Sequence, residues 1–175
     1  MANNENERCD QAKWTENIEI RTATPYDIVY IDRLQHEAFP GDVLLMSRDE
    51  MISRIRGAKK GEILVASGDN KVVAYCVLTD RPFRPWTGWD FLAVSPTHWR
   101  LGIATKLTEE VCRCATRPFI RGFVRSKNKG ALSHYKKIGF FQTGRKRKFY
   151  SDGDDAIVLL KPLLGYWHSF FRRGY

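Results

Sequence analysis

One stretch limits the possible folds of this chain more than any other: "WDFLAVSPTHWRLGIATKLTEEVC", Trp89 to Cys112. It begins as a run that is apolar apart from Asp90 and ends with Ile103, Leu107 and Val111 recurring every fourth residue, so the pattern changes from strand to helix. Pro96 cannot continue a strand ladder and marks the change. Leu101 to Thr105 read as the first turn of the helix. Gly102 and Ala104 have almost no side chain there, and Arg100 adds a fixed charge beside them. A helix N-terminus carries unpaired amides and a partial positive charge, so a small-residue turn at this point admits a phosphate closely. A proline turn before an amphipathic helix accounts for the same residues without a ligand.

The rest of the chain supplies partners for that unit. "NIEIRTA" alternates as a first strand, and Thr24-Pro25-Tyr26-Asp27 has the threonine cap, early proline and third-position acid of a helix start. Ser47-Arg48-Asp49-Glu50 repeats the capping logic for a second helix. "EILVASG" and "KVVAYCVL" flank Asp69-Asn70 as a hairpin, and the prolines of "RPFRPWTG" mark a loop. After the helix, Pro118 and "FIRGFV" predict a fifth strand. "NKGALSHYKKI" predicts a short helix capped by Asn128 and closed by Gly139, and "FFQTGRKRKFY" and "AIVLLKPL" a final hairpin.

A length of 175 residues suits one domain, expected over 17–162 between a polar tail at 1–16 and an aromatic, basic tail at 163–175. That second tail, "GYWHSFFRRGY", is too short to span a bilayer; it reads as a cover for the sheet edge, a homodimer contact or a membrane-surface segment. No apolar run is long enough for a membrane span, and the N-terminus has no signal-peptide core, so a cytoplasmic protein is expected. Cys9, Cys76, Cys112 and Cys114 lack the Cys-x-x-Cys spacing of a zinc knuckle and predict no metal. Charge is concentrated: Arg117 to Lys148 holds eleven bases and no acid, whereas the whole chain is +9, so the remainder is net acidic. Such a strip attracts an anion: nucleotide, tRNA or an acidic protein.

A second motif, Asn-x-x-Ala-x-x-x-Tyr-x-Lys-x-Gly-Phe, is present as Asn128, Ala131, Tyr135, Lys137, Gly139 and Phe140. Together with the proline turn and Gly-helix it resembles the GNAT superfamily of N-acetyltransferases, over about Ile18 to Leu163. The ending "FYSDGDDAIVLLKPL" is similar to the branch that acetylates protein N-termini, including the ribosomal-protein-alanine type. The resemblance implies an α+β fold: a mixed, mostly antiparallel sheet of about six or seven strands flanked by about four helices, with strands four and five parallel and splayed. It implies acetyl-CoA as co-substrate, its pantetheine along Leu92, Ala93 and Val94 and its pyrophosphate on the amides of Arg100, Leu101, Gly102, Ile103, Ala104 and Thr105. Asn128 is then either a cofactor contact or a helix cap.

The same resemblance makes Tyr135 the acid that protonates the departing thiolate and leaves Asp90 as the available carboxylate. Two positions depart from the family pattern. Trp99 stands where the phosphate loop has Gln or Arg, and Phe123 stands where the N-terminal branch often has its glutamate base. An α-amine, with a pKa of about 7.7–8.0 against about 10.4 for lysine, tolerates a missing base better. The expected acceptor is therefore a protein or peptide N-terminus. Aminoacyl-tRNA or a small amine is the alternative acceptor, and a catalytically weak acyl-CoA- or nucleic-acid-binding module is a third reading.

Overall fold

Seven strands form one mixed sheet in the order β1-β2-β3-β4-β5-β7-β6 in the computed structural model, which describes residues 18–41, 45–57, 62–68 and 71–163. They are β1 (Glu19–Thr22), β2 (Ile63–Gly68), β3 (Lys71–Asp80), β4 (Trp86–Val94), β5 (Phe119–Arg125), β6 (Phe141–Lys146) and β7 (Ala156–Pro162). Four helices accompany them among the described residues: α1 (Ile28–Ala38), α2 (Arg48–Gly57), α3 (Ile103–Cys114) and α4 (Lys129–Lys137). β4 and β5 run parallel, while the β1·β2, β2·β3, β5·β7 and β6·β7 ladders are antiparallel. The expected α+β architecture is therefore present. The tails, and the Asp69-Asn70 turn, lie outside the described residues apart from Leu163.

The chain forms two compact units, one of residues up to Val77 with Phe91–Val111, the other of Leu78–Asp90 with residues from Cys112 onward. In the first, Ile28, Ile31 and Leu34 of α1 and Met51 of α2 share a core with Ile63, Val65, Tyr75, Val77 and Ala93. Ile103, Leu107 and Val111 are buried to 1%, 0% and 0% exposure, which fixes the axis of α3 and hence the position of its N-terminus. In the second, β5 alternates: Ile120, Gly122 and Val124 are buried, and Arg121, Phe123 and Arg125 line the half-open face.

Local signals at helix starts behave as their chemistry dictates. Asp27 closes the capping box on Thr24, accepting from its amide at 2.7 Å and its hydroxyl at 2.9 Å. Those three residues wind as a 3-10 turn, Pro25–Asp27, before α1 begins at Ile28. The same carboxylate takes two bonds from the Arg21 guanidinium, at 2.7 and 2.8 Å. Burial pushes this carboxyl up, but Arg21 and Thr24 outweigh it and hold Asp27 below the usual carboxylate range. Its stabilising contribution is therefore present above the unfolded-state pKa of about 3.9 and is lost as pH falls through the lower folded value. Asp27→Ala is expected to cost about 2 kcal/mol at neutral pH, by removing the cap and stranding Arg21. Urea unfolding at pH 7 and pH 2.5 checks this, and the gap between the two proteins should narrow at the acid end.

Two boundaries differ from the sequence reading. β4 starts at Trp86 rather than Trp89, because Trp86, Thr87, Gly88 and Trp89 pair in register with Phe119, Ile120, Arg121 and Gly122. Pro82 and Pro85 lie just before it and confine the loop to Arg81–Pro85. α3 begins at Ile103, so Leu101 and Gly102 belong to the turn and not to the helix. The reason is backbone geometry: Arg100 and Gly102 have φ of 65° and 75°, outside the right-handed helical region.

Candidate active site

The predicted site residues divide between the two units. In the first, β4 ends at Val94 and Ser95 returns a hydrogen bond to the Val73 carbonyl at 2.8 Å. A short 3-10 turn, Pro96–His98, leads to Trp99, whose indole N–H donates to the Val94 carbonyl at 2.7 Å. A tryptophan bonded to the strand end thus stands where a Gln or Arg was expected. The ring braces the turn against the strand end, and its N–H is committed to protein and not to phosphate.

Beyond the brace, Arg100 and Gly102 both take the left-handed conformation, and the Gly102 carbonyl accepts the first helical bond, from the Lys106 amide at 3.0 Å. The amides of Ile103, Ala104 and Thr105 have no acceptor among the described residues, as the opening turn of a helix requires. A Cβ at Gly102 would meet nothing within 4 Å, so the space beside this residue is open. Arg100 is exposed and has no carboxylate partner among the described residues. Open amides, a helix N-terminus and an unpaired guanidinium make this turn positive and accessible to an anion. Leu92, Ala93 and Val94 precede it on β4. The β4·β5 ladder ends at Trp89↔Gly122, although β4 continues to Val94 and β5 to Arg125.

In the second unit, Asn128 caps α4, its Oδ1 accepting from the Ala131 amide at 3.0 Å. The cap reading of Asn128 is therefore observed, and its side-chain amide still offers donors. Gly139 closes the same helix with φ of 88°. Tyr135 packs edge-on against Trp89 at 5.4 Å and Phe140 at 5.3 Å, which fixes the ring. Trp89 is buried at 4% exposure. Asp90, the next residue along β4, is exposed and accepts from the Thr79 hydroxyl at 2.6 Å. Side chains alternate along a strand, so Asp90 and the Trp89–Tyr135 pair lie on opposite faces. His98 and His134 are both held below the ordinary imidazole range by burial, His134 also by Lys137, so each is neutral at physiological pH.

The basic strip is less bare than its sequence implies. Asp152, Asp154 and Asp155 follow it in the β6–β7 turn and fold back onto it. Arg125 holds Asp152 with two bonds of 2.8 and 2.9 Å, and Arg145 meets Asp155 at 2.6 Å. Ser126 donates to Asp154 at 2.8 Å. Sequence reasoning missed Trp99 as a brace, Thr79 as the partner of Asp90, and this acidic turn. Only the run Asp152-Gly153-Asp154-Asp155, next to the strip in sequence, hinted at the last of these.

The model of the acetyltransferase (GNAT) family matches residues 28–140. The chain is 26% identical over 174 residues to an N-alpha-acetyltransferase of Sulfurisphaera tokodaii, covering 87% of this chain and 98% of that protein. Among solved structures it is similar to Ard1 from Thermoplasma volcanium, with a TM-score of 0.73 at 23% identity over 85% of this chain and 99% of the other. It is also similar to yncA of Salmonella typhimurium, whose structure contains its cofactor acetyl-CoA, with a TM-score of 0.69 at 17% identity over 84% and 94% of the two chains. No helix among the described residues is long and apolar enough to cross a membrane.

Proposed function

The chain belongs to the acetyltransferase (GNAT) family, and on that premise we propose that it transfers an acetyl group from acetyl-CoA to the α-amine of a protein or peptide. The observation that carries this reading is the turn after β4, where Arg100, Gly102 and the free amides of Ile103 to Thr105 present an open anion cradle. Acetyl-CoA supplies a thioester whose carbonyl carbon is open to attack. Leu92, Ala93 and Val94 hold its pantetheine by backbone bonds, in the manner of an added strand. Arg100 to Thr105 hold its pyrophosphate, and the Asn128 amide offers a further donor.

The neutral amine forms the new N–C bond as the C–S bond breaks. Asp90, directly or through a water, takes the proton the amine gives up on its face of β4, and Tyr135, on the opposite face, gives one to the sulfur as it departs to that side. Phe123 leaves Asp90 as the carboxylate available on its face. A glutamate at position 123 would sit beside Arg121 and Lys146, which would hold it ionised and make it a weak base. An α-amine needs less help than a lysine, which favours the N-terminal acceptor. The relationship to an N-alpha-acetyltransferase supports the same choice.

Mass spectrometry of a defined peptide pool, incubated with isotopically labelled acetyl-CoA and the full chain, tests the proposal. The label is expected on α-amines and not on internal lysines. Label confined to lysine side chains, to aminoacyl-tRNA or to small amines would move the acceptor to another class. No label anywhere would return the chain to an acyl-CoA-binding role.

A further inference from the structure

The half-open face of β5 has a chemistry that acetyl transfer alone does not require. Arg121, Phe123 and Arg125 alternate with the buried residues of that strand. In-register pairing of β4 with β5 puts Trp86 and Gly88, and by alternation Asp90, on the same face. The rungs Arg125↔Ala156 and Lys146↔Ala156 bring Lys146 there too.

The rings on this face are capped by the protein's own cations. The Arg121 guanidinium lies 4.7 Å from the Trp86 ring centre and 5.4 Å from that of Phe123. Arg84 sits over Trp86 at 5.5 Å. Lys146 Nζ is 4.8 Å from Phe123 and 5.1 Å from Phe149, and these two rings stack at 5.2 Å with 19° between planes. Arg125 is neutralised by Asp152, but Arg84, Arg121 and Lys146 have no carboxylate partner among the described residues. Cation–π contact holds these charges in fixed directions without cancelling them.

That arrangement separates two kinds of anion. Proteins that grip single-stranded nucleic acid leave aromatic faces open for bases to stack on. Here Trp86, Phe123 and Phe149 already carry cations or each other on their faces, so the oriented charges are what remains to be read. We infer that this face recognises acidic side chains close to the acceptor amine, with Arg121 and Lys146 as specificity-determining residues, so that the favoured substrate is a peptide with Asp or Glu just after its N-terminal residue. The inference rests on the proposed α-amine acceptor. Asp90, on the same face, fixes the polarity: the amine goes to the aspartate and the acidic side chain to the cations.

The test measures acetylation by the full chain of matched peptides carrying Asp-Glu, Asn-Gln or Lys-Lys at positions two and three. The expected kcat/KM is about 10-fold higher for the acidic peptide than for its amide isostere, mainly through KM, with the advantage shrinking as salt rises. Arg121→Gln and Lys146→Gln should each bring that ratio toward one, and Lys146→Glu should favour the Lys-Lys peptide. Lys146 is exposed on β6, so its variants provide the readout if Arg121→Gln folds poorly. Equal acetylation of acidic and amide peptides would overturn the inference and leave the α-amine reading standing; no acetylation of any peptide would overturn that reading itself. Inhibition by a single-stranded RNA oligonucleotide at concentrations where the acidic peptide does not compete would assign the face to nucleic acid instead.

Discussion

Tyr135→Phe is expected to cut turnover by about 10²- to 10⁴-fold while leaving acetyl-CoA affinity nearly unchanged. The substitution keeps the ring, and with it the edge contacts to Trp89 and Phe140 that orient α4. It removes only the phenolic proton. A general acid typically contributes a factor of that size, equivalent to about 3–5 kcal/mol of barrier. Because the departing thiolate belongs to a thiol with an ordinary pKa of about 8.5, the missing proton should matter most below that pH and less at pH 9, where the thiolate is itself the stable form. Steady-state kinetics from pH 6 to pH 9, with thermal shift by acetyl-CoA as the binding control, decide it. Wild-type turnover in Tyr135→Phe would make the tyrosine a packing residue and leave the thiolate to solvent.

Gly102→Glu is expected to abolish acetyl-CoA binding, with Gly102→Ala as the comparison that isolates charge from strain. Saturation at 100 times the dissociation constant stabilises a protein by about 2.7 kcal/mol, a shift of a few degrees for a chain of this size. Gly102 has φ of 75°, so any side chain there costs about 1–2 kcal/mol in the folded state. Both variants should therefore melt earlier without ligand. A Cβ at this position points into open space, where it displaces no protein atom. Added bulk and charge are felt only by what occupies that space. Alanine should retain part of the acetyl-CoA shift and glutamate none. If Gly102→Glu still shows the full shift, the pyrophosphate is held elsewhere.

The order of elements was legible because each run kept its own period. The α3 stripe of Ile103, Leu107 and Val111 and the alternation of β5 both survive into the fold. Caps were legible for the same local reason: Thr24, Asp27 and Asn128 bond groups within three residues of themselves. Where a boundary depended on another strand, the sequence was silent. Trp86 to Gly88 resemble a proline-rich loop until Phe119 to Arg121 lie beside them. The site was legible as a set of residues and not as an arrangement. Nothing local placed Asp90 and Tyr135 on opposite faces of β4, and nothing local showed that Asp152 and Asp155 would cross the β6–β7 turn to cancel Arg125 and Arg145. Trp99 is the clearest case of this limit. Its identity breaks the motif, and its hydrogen bond to the Val94 carbonyl could not be read from that identity.

With the phosphate-holding role proposed for it, Arg100 places durability and binding in opposition at a single position. A residue with a Cβ held at φ of 65° keeps the folded chain less stable than a glycine there would, by up to about 1 kcal/mol after glycine's own entropy is counted. The same residue contributes the only long cationic side chain between Trp99 and Thr105. Laboratory selection for heat resistance alone would therefore tend to replace it with glycine or asparagine. The survivors would be sturdier proteins with a weaker grip on their own co-substrate. Selection performed with acetyl-CoA present would push the same position the other way, because bound ligand returns more than the backbone gives up.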